Sequence, residues 1–320
     1  MNNSIRIRIA GNSDLEVLSA LPVHSTSEQQ LAVHILDRCV LMAEGRSTEG
    51  KSQVFASIGI DLDRKEISDF FLDSAHSASG LGTRMLSEAE KLAIRFGIRE
   101  LQFNAPERHT RLLLSCGYRS GSSQQETGQA AAGNRLLSMQ RSFPRRQTRY
   151  SRQISKRLSE LGITHDYGRI RRMPLQEEAA RLRSIGADIY GREQEMQVSA
   201  ARAWQAMQQQ AAEDSIEIQA VSAFRSVDYQ AGIIKRKLDS GQDMEEILEV
   251  SAAPGFSEHH TGRAIDLTSP GYPVLEQSFD TSPAFGWLQS KAPGFNFRMS
   301  FPRDNRHGVA YEPWHWAWVR

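Results

Sequence analysis

The run PGFSEHHTGRAIDL, residues 254–267, restricts what this chain can become more than any other stretch. Alternation along GRAIDL places Ala264 and Asp266 on one face of a strand, and Gly262 permits a tight turn just before it. Such a turn brings His259 back beside Asp266 and leaves His260 pointing elsewhere. Two readings fit, a hairpin with polar decoration or part of a metal site. A catalytic zinc ion takes three protein ligands from His, Asp or Glu and keeps a fourth position open. The chain's end, AYEPWHWAWVR, offers Glu312 and His315 as further candidates. A regular strand would put positions three apart on opposite faces, but Pro313 interrupts the ladder and lets both side chains converge. In the metal reading Glu312 is the general base, acting on water whose pKa the metal lowers to about 7.

The rest of the chain divides around that region, and 320 residues favour two domains. IRIRI (Ile5 to Ile9) is a period-2 strand, and Leu31, Ile35, Cys39 and Met42 have helical spacing with Ser27 as N-cap. SQVFASIGIDLD, EISDFFLD, ELQFNA and RLLSMQRSF read as strands, with SGLGTRMLSEAEKLAIRFGI and RHTRLLLSCGY supplying helices between them. This alternation predicts an α/β domain over residues 1–143. GSSQQETGQAAAG (121–133) reads as a mobile polar loop. Between Arg141 and Arg172 ten arginines and lysines face only Glu160 and Asp166, which predicts a basic linker over 144–174 running into a surface helix. From Leu175 two helical patterns, LQEEAARLRSIGADI and REQEMQVSAARAWQAMQQQAAED, precede the strand IEIQAVSAF and a helix around SVDYQAGIIKRKLDSG. Short strands and loops rich in Gly, Pro and Trp follow, so an α+β domain is expected over 175–320.

Composition narrows the partners. A net charge of +1 and sparse aromatic interleaving in the basic stretch argue against nucleic acid. No run approaches the roughly 20 apolar residues that span a bilayer. Cys39 and Cys116 lie far apart and make no metal-binding spacing, which favours a reducing compartment. MNNSIRIRIAGNSDLEV has no apolar signal core, so the expected location is the cytoplasm.

The motifs also carry a resemblance. SEHHTGRAID matches the S-x-H-x-x-G-x-A-x-D signature of the VanY-type D-alanyl carboxypeptidases, zinc enzymes of the LAS group, and EPWHWAWV resembles their E-x-W-H terminus. SAFRSVDYQ is similar to their S-G-Y-R-S-x-x-x-Q segment, with Ala223 in place of Gly, and FGWLQSKAPGFNFRMSFP to the stretch ahead of the last ligand. The resemblance covers roughly residues 216–320. It implies His259, Asp266 and His315 as zinc ligands, Glu312 as catalytic base and Arg225 as the group that steadies the carbonyl oxygen. It further implies Ser257 and Gln230 as substrate contacts, and leaves His260 a bystander.

SASGLGTRMLSEAE places Gly80 and Gly82 at a helix N-terminus, where free backbone N–H groups can face a pyrophosphate. With the elements around it, over about residues 4–143, this resembles the GNAT acyl-CoA N-acyltransferases and implies acetyl-CoA as a ligand. Two departures stand out: Ser77 opens the loop in place of Gln or Arg, and Leu113 stands where the family commonly has a Tyr acid.

The two resemblances together imply a zinc carboxypeptidase acting on peptidoglycan peptides, with an appended acyltransferase-like domain. Cleavage of a precursor ending D-Ala-D-Ala would deplete the cross-linking donor, whereas trimming a recovered tetrapeptide would not. LD-carboxypeptidase activity is therefore expected over DD. A lysin-type endopeptidase and a metal-free muropeptide-binding module are the alternatives.

Overall fold

The computed structural model describes residues 5–22, 27–37, 39–46, 51–120, 136–143 and 149–319. They fall into two compact units, Met1–Arg146 and Gln147–Arg320. The loop expected at 121–133 lies outside the described residues. Among the described residues no helix is long and apolar enough to cross a membrane.

The first unit is built on strands β1 (Arg6–Ile9), β2 (Val40–Arg46), β3 (Ser52–Asp61), β4 (Glu66–Leu72), β5 (Glu100–Pro106), β6 (Arg119–Ser120) and β7 (Leu136–Ser142). Helices α1 (Leu15–Ser19), α2 (Glu28–Leu36), α3 (Leu81–Arg95) and α4 (Thr110–Ser115) accompany them. The Ser27 side chain accepts from Gln30 N and so starts α2. In α3, Met85, Leu86, Ala89, Leu92 and Ala93 recur at helical spacing and bury one face in the sheet's core with Ile58, Ile60 and Phe103. The sheet order is β1-β2-β3-β4-β5-β7-β6. Its pairs are antiparallel except β4 with β5, which are parallel and paired only at Glu66 and Gln102. The two strands thus meet near their starts and open toward their carboxyl ends.

The second unit begins with α5 (Arg149–Glu160) and α6 (Tyr167–Ile170). From residue 149 onward the basic segment belongs to the second unit. Arg149, Arg152, Lys156 and Arg157 lie along α5, an amphipathic helix whose Ile154 and Leu158 are buried with Ile234, Ile247 and Phe256. Burying each such side chain stabilises the fold by about 1.5–3 kcal/mol, ample reason for the segment to pack.

One expectation fails. The first of the two helical patterns is not a helix, and its residues 182–187 form β8 (Leu182–Ala187), paired antiparallel with β9 (Glu193–Gln197). Asp188 organises the turn between them. Its carboxylate accepts from the backbone N–H groups of Tyr190 and Arg192, from Arg192 Nε and from Gln194 Nε2. This local bonding competes with helix formation.

The hairpin leads into α7 (Val198–Glu213), where Ala200, Trp204, Met207 and Ala211 form the buried stripe. Then come β10 (Gln219–Ser222), α8 (Val227–Asp239, capped by Ser226), α9 (Met244–Val250), β11 (Ala264–Thr268), α10 (Pro283–Lys291), β12 (Phe297–Met299) and β13 (His315–Trp318). The sheet order is β10-β11-β13-β12, with all pairs antiparallel. Every residue of β11 is buried. An ionisable Asp266 inside such a strand must be compensated by partners.

Candidate metal centre

The partners of Asp266 come from register. In the β11–β13 ladder Asp266 lies opposite His315, and in the β10–β11 ladder opposite Ser222. Directly opposed residues share a face with Cβ atoms about 5 Å apart. Glu312 is not in the strand. His315 N donates to Glu312 O at 3.1 Å, a turn that places Glu312 Oε2 3.8 Å from His315 Nδ1. His259 arrives on the 3-10 turn Glu258–Thr261, which ends at Gly262 in the left-handed region (φ 63°). A Cβ there would stand 2.8 Å from Gln197 N, so glycine is required both for the turn and for the chain's close approach.

His259, Asp266 and His315 offer ligand atoms all within 4.8 Å of one another, and all three residues are buried. The donor set suits a metal ion on the evidence of one atom. His259 Nδ1 donates to Ala223 O at 2.5 Å, so its lone pair is on Nε2. That nitrogen is buried, has no hydrogen-bond partner and lies 3.2 Å from Asp266 Oδ2. A lone pair facing a carboxylate oxygen is unfavourable unless a cation is shared between them.

The electrostatics agree. Burial, with help from Arg225, pushes His259 down to about 4, so the ring is neutral. Burial opposes ionisation of Asp266, but His259 and His315 more than offset it and hold the carboxyl well below the usual range. Burial likewise disfavours charge on His315, yet its bonds to Asp266 and Glu258 raise it to about 10 in the metal-free protein. Glu312 is pushed up to about 7 by burial and by Asp266, with His315 and Arg225 opposing. A carboxyl there can exchange a proton near neutral pH.

Arg225 reaches the same site from the loop after β10. Its Nη2 is 3.9 Å from Asp266 Oδ2, and its buried Nε has no hydrogen-bond partner. An unspent guanidinium donor therefore stands beside the candidate donor set. Ser257 is buried at the start of the 3-10 turn, and its hydroxyl is not used as a cap. Gln230 is buried on α8 and donates to Ala252 O at 2.8 Å, while its Oε1 has no partner.

His260 lies outside that donor set. It is fully buried, its Nδ1 donates to Arg225 O at 2.6 Å, and its Nε2 accepts from Gly255 N at 3.0 Å. Burial pushes it down to about 4, consistent with a neutral ring used as a bridge. Sequence reasoning also passed over Glu258, whose Oε2 is 3.1 Å from His315 Nε2. Both flank His259 in sequence, and that adjacency was the available signal.

In the first unit Gly80 has φ 76° at the N-terminus of α3, with open space around a would-be Cβ. Gly82 faces the other way. A Cβ there would meet Leu112 at 2.8 Å and Leu72 at 3.1 Å, so its role is close packing of helix and sheet. Leu113 is fully buried in the core, and His109, half-buried, has its ring edge-on to Phe70.

Residues 193–320 match the family VanY: D-alanyl-D-alanine carboxypeptidase. A Bacillus subtilis (strain 168) protein named as a carboxypeptidase, YodJ, is 33% identical over 129 residues, 38% of this chain and 45% of that protein. The chain thus spans less than half the length of that relative. A solved structure of the LdcB LD-carboxypeptidase shares 29% identity with a TM-score of 0.41, over 45% of this chain and 70% of that one. Over the N-terminal half, a GNAT-family acetyltransferase from Streptococcus pneumoniae aligns at 19% identity and TM-score 0.36, over 44% of this chain and 100% of that one. Residues 193–320 thus match the VanY carboxypeptidase family, and a GNAT-family structure aligns with the N-terminal half of the chain.

Proposed function

We propose that the chain is a zinc-dependent carboxypeptidase releasing the terminal D-Ala of peptidoglycan-derived peptides. The observation that carries this is the convergence of a His259–Asp266–His315 donor set with Glu312 and Arg225 around the partnerless Nε2 of His259. Bound there, zinc supplies a Lewis acid that polarises the scissile carbonyl and acidifies water. Glu312 takes a proton from the attacking water as its oxygen bonds to the carbonyl carbon. As the C–N bond breaks, Glu312 returns that proton to the departing amine of D-Ala. Arg225 directs its free N–H groups at the carbonyl oxygen as negative charge develops there. Ser257 contacts the terminal carboxylate or backbone, and Gln230 Oε1 is available to a substrate N–H.

For the bond cut, the reading favours D-Ala on an L-centre, because removal of D-Ala from a pentapeptide precursor would destroy a cross-linking donor. Mass spectrometry of matched tetra- and pentapeptides, with zinc-loaded and chelated protein side by side, tests both points. Release of a single terminal D-Ala only with zinc, and a higher kcat/KM on the tetrapeptide, is expected. Internal cleavage would identify a lysin-type endopeptidase, and binding without cleavage a muropeptide-binding module.

For the first unit the reading is an acyl-CoA site in the wedge between β4 and β5, beside the α3 N-terminus at Gly80. The carboxyl ends of diverging strands and a helix N-terminus both favour an anionic cofactor. No proton donor is assigned, since Leu113 is buried and apolar. Calorimetry with acetyl-CoA tests it, with Gly80→Val as the variant expected to weaken binding. Absence of binding by wild type would leave a domain that docks a partner or positions substrate.

A further inference from the structure

His315 stands between two carboxylates. Its Nδ1 is 3.0 Å from Asp266 Oδ1, and its Nε2 is 3.1 Å from Glu258 Oε2. We propose that Glu258 is a positioning residue of the metal centre: it accepts the Nε2–H of His315 and thereby makes Nδ1 the metal-ligating atom. The inference rests on the zinc reading above and adds to it a residue that the ligand motif leaves open.

A metal-ligating imidazole is neutral, with one N–H and one lone pair, so with a metal bound an acceptor on Nε2 would leave the lone pair on Nδ1, the nitrogen nearest Asp266. His259 is anchored in the same sense by the opposite nitrogen, its Nδ1 donating to Ala223 O and its Nε2 facing Asp266. Both rings therefore have the outward nitrogen held by an oxygen and the inward nitrogen turned to the shared carboxylate. The two rings lie edge to face, with centroids 5.0 Å apart.

Glu258 suits the part. Its side chain is 13% exposed, so its bond to His315 acts in a low-dielectric setting. It lies outside the three-residue donor set, which leaves the fourth coordination position open. It also precedes His259 on the same 3-10 turn, so one rigid turn supplies one ligand and orients the other. A carboxylate behind a ligating histidine fixes the ring and raises its basicity, and losing such a partner costs 10–100-fold in metal affinity.

The test is zinc affinity of the full chain, by competition with a chromophoric chelator, for wild type, Glu258→Gln, Glu258→Ala and His259→Ala. Metal-free melting temperatures and the visible spectrum of the cobalt-substituted protein are recorded alongside. Glu258→Ala is expected to bind zinc about 10–100-fold more weakly than wild type. Glu258→Gln should fall between them, because its amide oxygen still accepts Nε2–H without the charge, and the cobalt spectrum should shift in the alanine variant. Wild-type affinity in Glu258→Ala, with His259→Ala losing metal, overturns this inference alone. If wild type itself takes up no zinc, both readings fall together. Should Glu258→Ala not fold, an unchanged affinity in the isosteric Glu258→Gln overturns the inference.

Discussion

His260 Nδ1 donates to Arg225 O at 2.6 Å, and the same ring accepts from Gly255 N through Nε2. The adjacent His259 accepts from Arg225 N through its carbonyl, at 3.3 Å. Both backbone polar groups of Arg225 are thus held by the histidine pair. His260→Leu should keep zinc stoichiometry but lower kcat by about 10²-fold, the scale on which small misplacements at a reacting centre act. His260→Asn, whose amide N–H can replace Nδ1–H, should recover part of that loss. Equal kcat in the leucine variant and wild type would show that Arg225 holds its place without the ring.

Glu312→Gln leaves the three proposed metal donors in place and removes the proposed base. Zinc content and melting temperature should match wild type while kcat falls by about 10²–10⁴-fold, the range for general acid–base catalysis. Hydrolysis at near wild-type rate would remove Glu312 from the mechanism.

Asp188 is held below the usual carboxylate range. Burial opposes its ionisation, but the N–H groups of Arg192 and Tyr190 and the Arg192 guanidinium outweigh it. A depressed folded pKa contributes stability above the unfolded value of about 3.9, and that contribution is lost as pH falls through the folded value. Asp188→Asn should therefore cost about 1–3 kcal/mol at pH 7. The gap from wild type should narrow as pH is lowered below about 4. Denaturant midpoints across that range decide it, and a gap independent of pH would contradict the account.

Gly82→Ala would push a methyl group against Leu112 and Leu72. Overpacking of this kind costs about 1–3 kcal/mol. Thermal unfolding of the full chain should show a destabilised first unit with the zinc affinity of the second unchanged. A variant as stable as wild type would mean the α3–sheet contact yields easily.

Much of this protein follows from its sequence because the relevant patterns are local. Ser27 accepts the backbone N–H of Gln30, three residues on, as its place before an apolar periodic run predicts. Chain periodicity also located β11, and the types of residue in SEHHTGRAID and EPWHW pointed to the donor set that the structure assembles. What the sequence could not decide was non-local. The apolar spacing of Leu182, Ile185 and Ile189 suits a helix as well as a strand, and pairing with β9 and the Asp188 turn made residues 182–187 a strand. Gly82 looked like part of an anion loop until packing turned it toward Leu112. Which nitrogen of each histidine faces Asp266 depends on Ala223 O and Glu258, 36 and 57 residues away from their respective partners. A sequence specifies which donors and acceptors exist. Strand register and chain packing decide which of them meet, because a buried polar group is satisfied by whatever the fold brings within about 3 Å of it.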